Sequence, residues 1–142
     1  MNKDAMVALQ LDRLMRRFHS DLHPRAETVD IERVGPIGGM LLFVISEQSP
    51  ITAGEIAKHL GRDKSQVSRG IGLLMRKGLV DRAADSDDAR RVQLCLSEAG
   101  ALQVAAFHGA LVETTKSLLG GLTADEQTTF SDLIGKVLEV DR

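Results

Sequence analysis

Apolar residues recur along this chain with helical spacing in most segments and with strand spacing in one short stretch. Leu11, Leu14, Met15, Phe18 and Leu22 mark one face of a helix predicted from Asp4 to about Leu22, with Asp12, Arg13, Arg16, Arg17 and Asp21 on the other face. His23-Pro24 to Arg33 is polar and breaks the pattern, predicting a link. From Pro36 the chain enters Met40-Leu-Leu-Phe-Val-Ile45, apolar on every side and read as a buried central helix that ends near Ser49-Pro50. Gly38 and Gly39 weaken its first turn and suggest close packing of another helix. Ile56, Ala57 and Leu60 form a short inward stripe, and Val67, Ile71, Leu74 and Met75 form a second. After two predicted strands the helical pattern returns in Leu102, Ala105, Ala106, Leu111, Val112, Leu118 and Leu119. It returns again in Phe130, Leu133, Ile134, Val137 and Leu138, the clearest stripe in the chain.

Boundary residues sharpen the middle of this reading. Thr52 followed by Glu55, Asp63 followed by Gln66, and Thr123 followed by Glu126 each fit a capping box, in which a short side chain and a longer one satisfy free amides at a helix start. Gly61 and Gly78 suit the left-handed residue that stops a helix. Leu79 to Ala83 and Val92 to Leu96 read as strands around the polar loop 84–91; Val92, Leu94 and Leu96 face one way, and Gln93 and Cys95 the other. Helix, sharp turn, second helix and charged hairpin together make the plan of a winged helix-turn-helix. On its second helix the outward residues are Ser65, Gln66, Ser68 and Arg69, types that read base edges or hold phosphates.

The run Asp63-Lys-Ser-Gln-Val-Ser-Arg69, then Lys77-Gly-Leu-Val80, Asp88-Ala-Arg90 and Leu96-Ser-Glu-Ala-Gly100, resembles in order and spacing the multiple-antibiotic-resistance regulator (MarR) family. The likeness covers about Thr52 to Gly100, and the flanking helical segments are compatible with the rest of that fold. It implies a homodimeric transcriptional regulator with Ser65, Gln66, Ser68 and Arg69 on the recognition helix and Arg90 at a wing tip that reaches the minor groove. It also implies that Asp88 orients Arg90 and that effectors sit in a cleft between the DNA lobe and the dimerisation helices. Ala89 stands where a first arginine is frequent, and Gly72-Leu73 replaces a pair that is often charged.

The expected architecture is therefore mainly α with a small β-hairpin wing: a winged helix-turn-helix flanked by N- and C-terminal dimerisation helices. One domain, 1–142, would comprise a DNA-binding lobe at 36–97 and a helical dimerisation lobe at 1–22 and 98–142. Two terminal stripes cannot both be covered on so small a core, so pairing with a second copy is expected through Leu11, Leu14, Phe18, Phe130, Leu133, Ile134 and Val137.

Charge modifies this picture locally. The 142 residues carry a formal net charge of -2, yet nine basic residues stand against six acidic ones between Thr52 and Leu94, so that segment is positive and the remainder negative. Arg62, Lys64 and Arg91 join the candidate DNA contacts on this ground, since local charge sets phosphate attraction. The partner expected is double-stranded DNA bearing a pseudo-palindromic operator, with a possible small-molecule effector and no membrane.

The remaining chemistry is sparse. His19, His23 and His108 could suggest a metal site, but Pro24 is expected to end the first helix before His23 joins its face, and surface histidines are the plainer reading, so no metal is assigned. Cys95 is a single cysteine that permits no intrachain disulfide; nothing around it in sequence lowers a thiol pKa, and it is read as an inert, outward residue. Asp85, Asp87 and Asp88 lack a calcium-loop pattern. No nucleophile and base arrangement emerges, so neither catalysis nor a cofactor is expected. No apolar run long enough to span a membrane and no basic-then-apolar leader is present, and the cytoplasm is the expected compartment. The function expected is a dimeric, sequence-specific repressor released by a small ligand. The alternative from another class is a winged-helix module that binds protein.

Overall fold

A computed structural model describes residues 1–26, 31–83 and 91–139, the side chains of 31–36 apart. The described elements are α1 (Lys3–Ala26), α2 (Ile31–Gln48), β1 (Ile51–Thr52), α3 (Ala53–Leu60), α4 (Lys64–Arg76), β2 (Val80–Arg82), β3 (Gln93–Leu96), α5 (Glu98–Leu118) and α6 (Ala124–Leu138). They fall into two compact units, one of residues 23–110 and one of residues 1–22 with 111–142. Mainly helical structure with a small sheet is the predicted fold class.

The first unit has a continuous apolar core. Leu41, Leu42, Val44 and Ile45 of α2 pack with Ile56 and Ala57 of α3, Val67, Ile71 and Leu74 of α4, and Ile51, Leu79, Val80 and Leu94 from the sheet region. Burying each of the large side chains contributes roughly 1.5 to 3 kcal/mol, so the stripes read from sequence are the source of this unit's stability. A close approach lies at Gly70 of α4, where a β-carbon would stand 2.6 Å from the Cδ1 of fully buried Leu41. α2 is buried along Leu41, Leu42, Val44 and Ile45, but Met40 is exposed, so the run is not covered on every side.

Three boundaries differ from the sequence reading. α1 runs through His23 and Pro24 to Ala26, and α2 already begins at Ile31, so helix occupies most of the predicted link. Pro24 lies in the last turn of α1, where its missing amide forfeits one bond without stopping the chain from completing the turn. Apolar periodicity fails over residues 23–26 and 31–33 although both stretches are helical. The third difference is a strand that the reading missed: Ile51 and Thr52 pair antiparallel with Leu94 and Gln93, giving the sheet order β1-β3-β2.

In the second unit the start of α6 follows the sequence, and the terminal stripes are left largely open within one chain. Thr123 accepts the Glu126 amide at 3.2 Å while the Glu126 carboxylate accepts the Thr123 amide at 2.9 Å, the reciprocal box expected. Gln127 donates to the carbonyls of Leu119 and Leu122, satisfying groups left over at the turn before α6. Yet no residue of α6 is buried; Val137 is 70% exposed and Leu133 55%, with Leu11, Leu14 and Ile134 also open and Phe18 and Phe130 half-buried. These are the stripes from which pairing was expected.

Candidate nucleic-acid interface

The turn between α3 and α4 is set by backbone hydrogen bonds around one glycine. Gly61 adopts φ +61°, a left-handed conformation natural only to glycine, and its amide and that of Arg62 donate to the carbonyls of Lys58 and Ala57. Gly78 closes α4 in the same way, at φ +73°, with its amide on Met75 and that of Leu79 on Leu74. Because Val67, Ile71 and Leu74 are buried, α4 turns Ser65, Ser68 and Arg69 outward, with Gln66 half-buried beside them. Arg62 and Lys64 are exposed at the turn and first helical position. The structure therefore brings these six predicted residues together on one short element.

Two caps work differently from the reciprocal arrangement read in sequence. Thr52 accepts the Glu55 amide at 3.2 Å, but the Glu55 carboxylate accepts the Thr52 hydroxyl at 3.0 Å rather than a backbone amide. Asp63 occupies the N-cap of α4 without a well-formed capping bond, the amides of Ser65 and Gln66 acting on its carboxylate only weakly; the carboxylate chiefly accepts the Ser65 hydroxyl. That hydroxyl, with smaller contributions from nearby amides and the Arg69 charge, holds the Asp63 carboxyl below its ordinary range. Ser65 thus enters the candidate interface with its proton engaged, leaving its oxygen as the group presented outward.

The wing is described at its base. Val80 pairs with Leu96, Asp81 with Cys95 and Arg82 with Leu94, and Leu94 is buried. Arg91 is exposed and donates to the Glu55 carboxylate at 3.1 Å, a contact that sequence reading did not anticipate. Asp88 and Arg90 lie outside the described residues.

Cys95 does not simply face outward. It is half-buried, its thiol directed at the Asp81 carbonyl at 3.7 Å, and it lines a cavity of about 670 Å³. Phe43, Ser46, Glu47, Ala105 and His108 are among the other lining residues. Phe43 meets Phe107 edge-on with centroids 5.1 Å apart, whereas Phe18 lines a separate apolar cavity of about 240 Å³ in the other unit. His23 lies within α1 beside His19, contrary to the expectation that Pro24 would separate them; among the described residues no cluster of three potential metal ligands forms.

Residues 39–91, which hold this helix-turn-helix, match the MarR family. That segment carries the MarR-family signature, and the chain has the winged-helix fold of MarR-family structures. Over 146 aligned residues it is 25% identical to the uncharacterized HTH-type transcriptional regulator YwhA of Bacillus subtilis, covering 98% of this chain and 100% of that one. Among solved structures it resembles apo wild-type MarR from E. coli, with 26% identity, a TM-score of 0.72 and coverage of 97% and 98% of the two chains. It also shares the fold of YusO from Bacillus subtilis, at 18% identity, a TM-score of 0.72 and coverage of 99% and 100%. The family of the matched segment and the fold are those of DNA-binding transcriptional regulators rather than of enzymes.

Proposed function

We propose that this chain is a homodimeric repressor that reads a pseudo-palindromic operator and is released from it by a small molecule. The observation that carries the reading is the outer face of α4, where Ser65, Ser68 and Arg69 stand exposed beside Gln66 over a fully apolar inner face. Hydrogen-bonding side chains and an arginine at the start of a helix are what base edges in a major groove require, whereas Arg62 and Lys64 supply phosphate attraction. Asp88, Arg90 and Arg91 complete the interface from the wing, with Arg90 in the minor groove.

Pairing follows from the terminal helices. Leu11, Leu14, Phe18, Phe130, Leu133, Ile134 and Val137 would be covered by a second copy, and a two-fold dimer presents two recognition helices to two half-sites. In this division of labour residues 36–97 read DNA and residues 1–22 and 98–142 hold the dimer. No described helix is long and apolar enough to cross a membrane.

The effector would enter the cavity beside Phe43, Cys95 and His108, whose size falls in the range of small-molecule sites and whose wall includes the wing strand β3. Filling it with Ala105→Trp should leave operator affinity intact and abolish release by any compound that frees the wild type. The direct test of the whole reading is a gel shift on the chain's own upstream DNA, with and without a panel of small aromatic and aliphatic acids. Salt-dependent, sequence-selective retardation is expected; its absence at low salt would refute the reading.

A further inference from the structure

The sheet register brings an acidic residue of α3 to the root of the wing. β1 pairs with β3 so that Thr52 lies opposite Gln93 and Ile51 opposite Leu94. Continuing that antiparallel ladder carries Arg91 back toward the first turn of α3, where Glu55 follows three residues after Thr52. There the Arg91 guanidinium donates to Glu55 Oε1 at 3.1 Å. The same oxygen accepts the Thr52 hydroxyl at 3.0 Å, and the Thr52 oxygen accepts the Glu55 amide at 3.2 Å. The carboxylate is thus held from its own helix start while it holds the arginine.

Capping alone does not call for this arrangement. Thr52 already satisfies the α3 amide, and Glu55 spends its carboxylate on a hydroxyl and on a residue 36 positions away. An acidic group beside a DNA-reading element would, acting only through its charge, repel phosphate and weaken binding. Its ion pair with Arg91 gives it a compensating part.

We propose that Glu55 is a positioning residue for the wing: its carboxylate fastens Arg91 to the first turn of α3 and so sets where the wing's basic residues meet DNA. This rests on the DNA-binding reading above. An arginine carries five N–H donors in a planar fork, so one carboxylate can orient the group without exhausting it.

The test compares wild type, Glu55→Ala, Glu55→Gln, Arg91→Ala and the Glu55→Ala/Arg91→Ala double variant in operator titrations. Glu55→Ala should weaken binding about fivefold, the scale of one exposed ion pair. Glu55→Gln, which keeps the acceptor and loses the charge, should fall between. In the Arg91→Ala background the Glu55→Ala change should cost nothing further, because the group through which it acts is gone. Tighter binding by Glu55→Ala, or equal losses in both backgrounds, overturns the proposal. Amide hydrogen exchange without DNA keeps the two readings apart: Gln93 and Leu94 should exchange several-fold faster in Glu55→Ala and in Arg91→Ala. Unchanged exchange overturns the clamp even where the wild type binds operator, whereas faster exchange in a protein that binds no DNA removes the DNA reading instead.

Discussion

Gly100 lies against the carbonyl of Leu79 so closely that a β-carbon on it would stand 2.0 Å from that oxygen. The same carbonyl accepts the Ser97 amide at 3.0 Å, and Ser97 in turn accepts the Gly100 amide at 3.0 Å while donating its hydroxyl to the Gly78 carbonyl. The start of α5 is therefore stapled to the segment that leaves α4. Because the obstructing atom belongs to a hydrogen-bonded backbone, it cannot swing aside as a side-chain end would.

Gly100→Ala should accordingly destabilise the protein by about 1 to 3 kcal/mol, the usual cost of forcing a methyl into filled space. Gly109→Ala, in the same helix with nothing within 4 Å of the added carbon, should instead gain roughly 0.5 to 1 kcal/mol. Urea unfolding of both variants checks the contrast, and equal effects would contradict it.

The Asp63 carboxyl is held below its ordinary value of 3.8, chiefly by the Ser65 hydroxyl. A carboxyl depressed in the folded state adds stability that is fully present above the unfolded pKa and is lost as pH falls through the folded value. Asn keeps the capping preference of this position and removes the charge. The stability difference between wild type and Asp63→Asn should therefore be constant from pH 5 to pH 7 and shrink below about pH 4. Denaturant titrations at a series of pH values measure it; a difference that grows on acidification would refute the assignment.

Ile134 is 43% exposed on a helix that buries nothing within one chain. In a dimer built on these stripes, Ile134→Glu would leave an unpaired charge against apolar side chains at a cost of several kcal/mol. Sedimentation should show the wild type as a dimer at micromolar concentration and the variant as monomer. A full dimer in the variant would move the interface elsewhere.

What could be read from the chain was whatever repeats over a few residues. Val67, Ile71 and Leu74 announce a buried stripe by spacing alone, and that stripe fixes which way Ser65, Ser68 and Arg69 point. Thr123 and Glu126 announce a helix start by a contact between neighbours. β1 left no such trace, because two residues cannot show a period, and the Glu55 to Arg91 contact follows from its pairing with β3. Pro24 signals a stop in the sequence, yet α1 continues to Ala26, because near a helix end a proline costs only one amide bond. Cys95 was read correctly as alternating with Leu94, but its side of the sheet fronts a cavity wall, which only the packing of α2 and α5 residues in that unit defines.

Operator titration at several salt concentrations, comparing wild type, Arg69→Ala and Arg90→Ala, tests the central claim most directly. Arg69→Ala should cost about 1 to 3 kcal/mol and relax preference at one position per half-site in a panel of single-base changes. Arg90→Ala should weaken all sequences more evenly and lower the salt slope by about one per wing, since each wing displaces one counterion fewer. Unaltered affinity and salt slope in both variants would contradict the account.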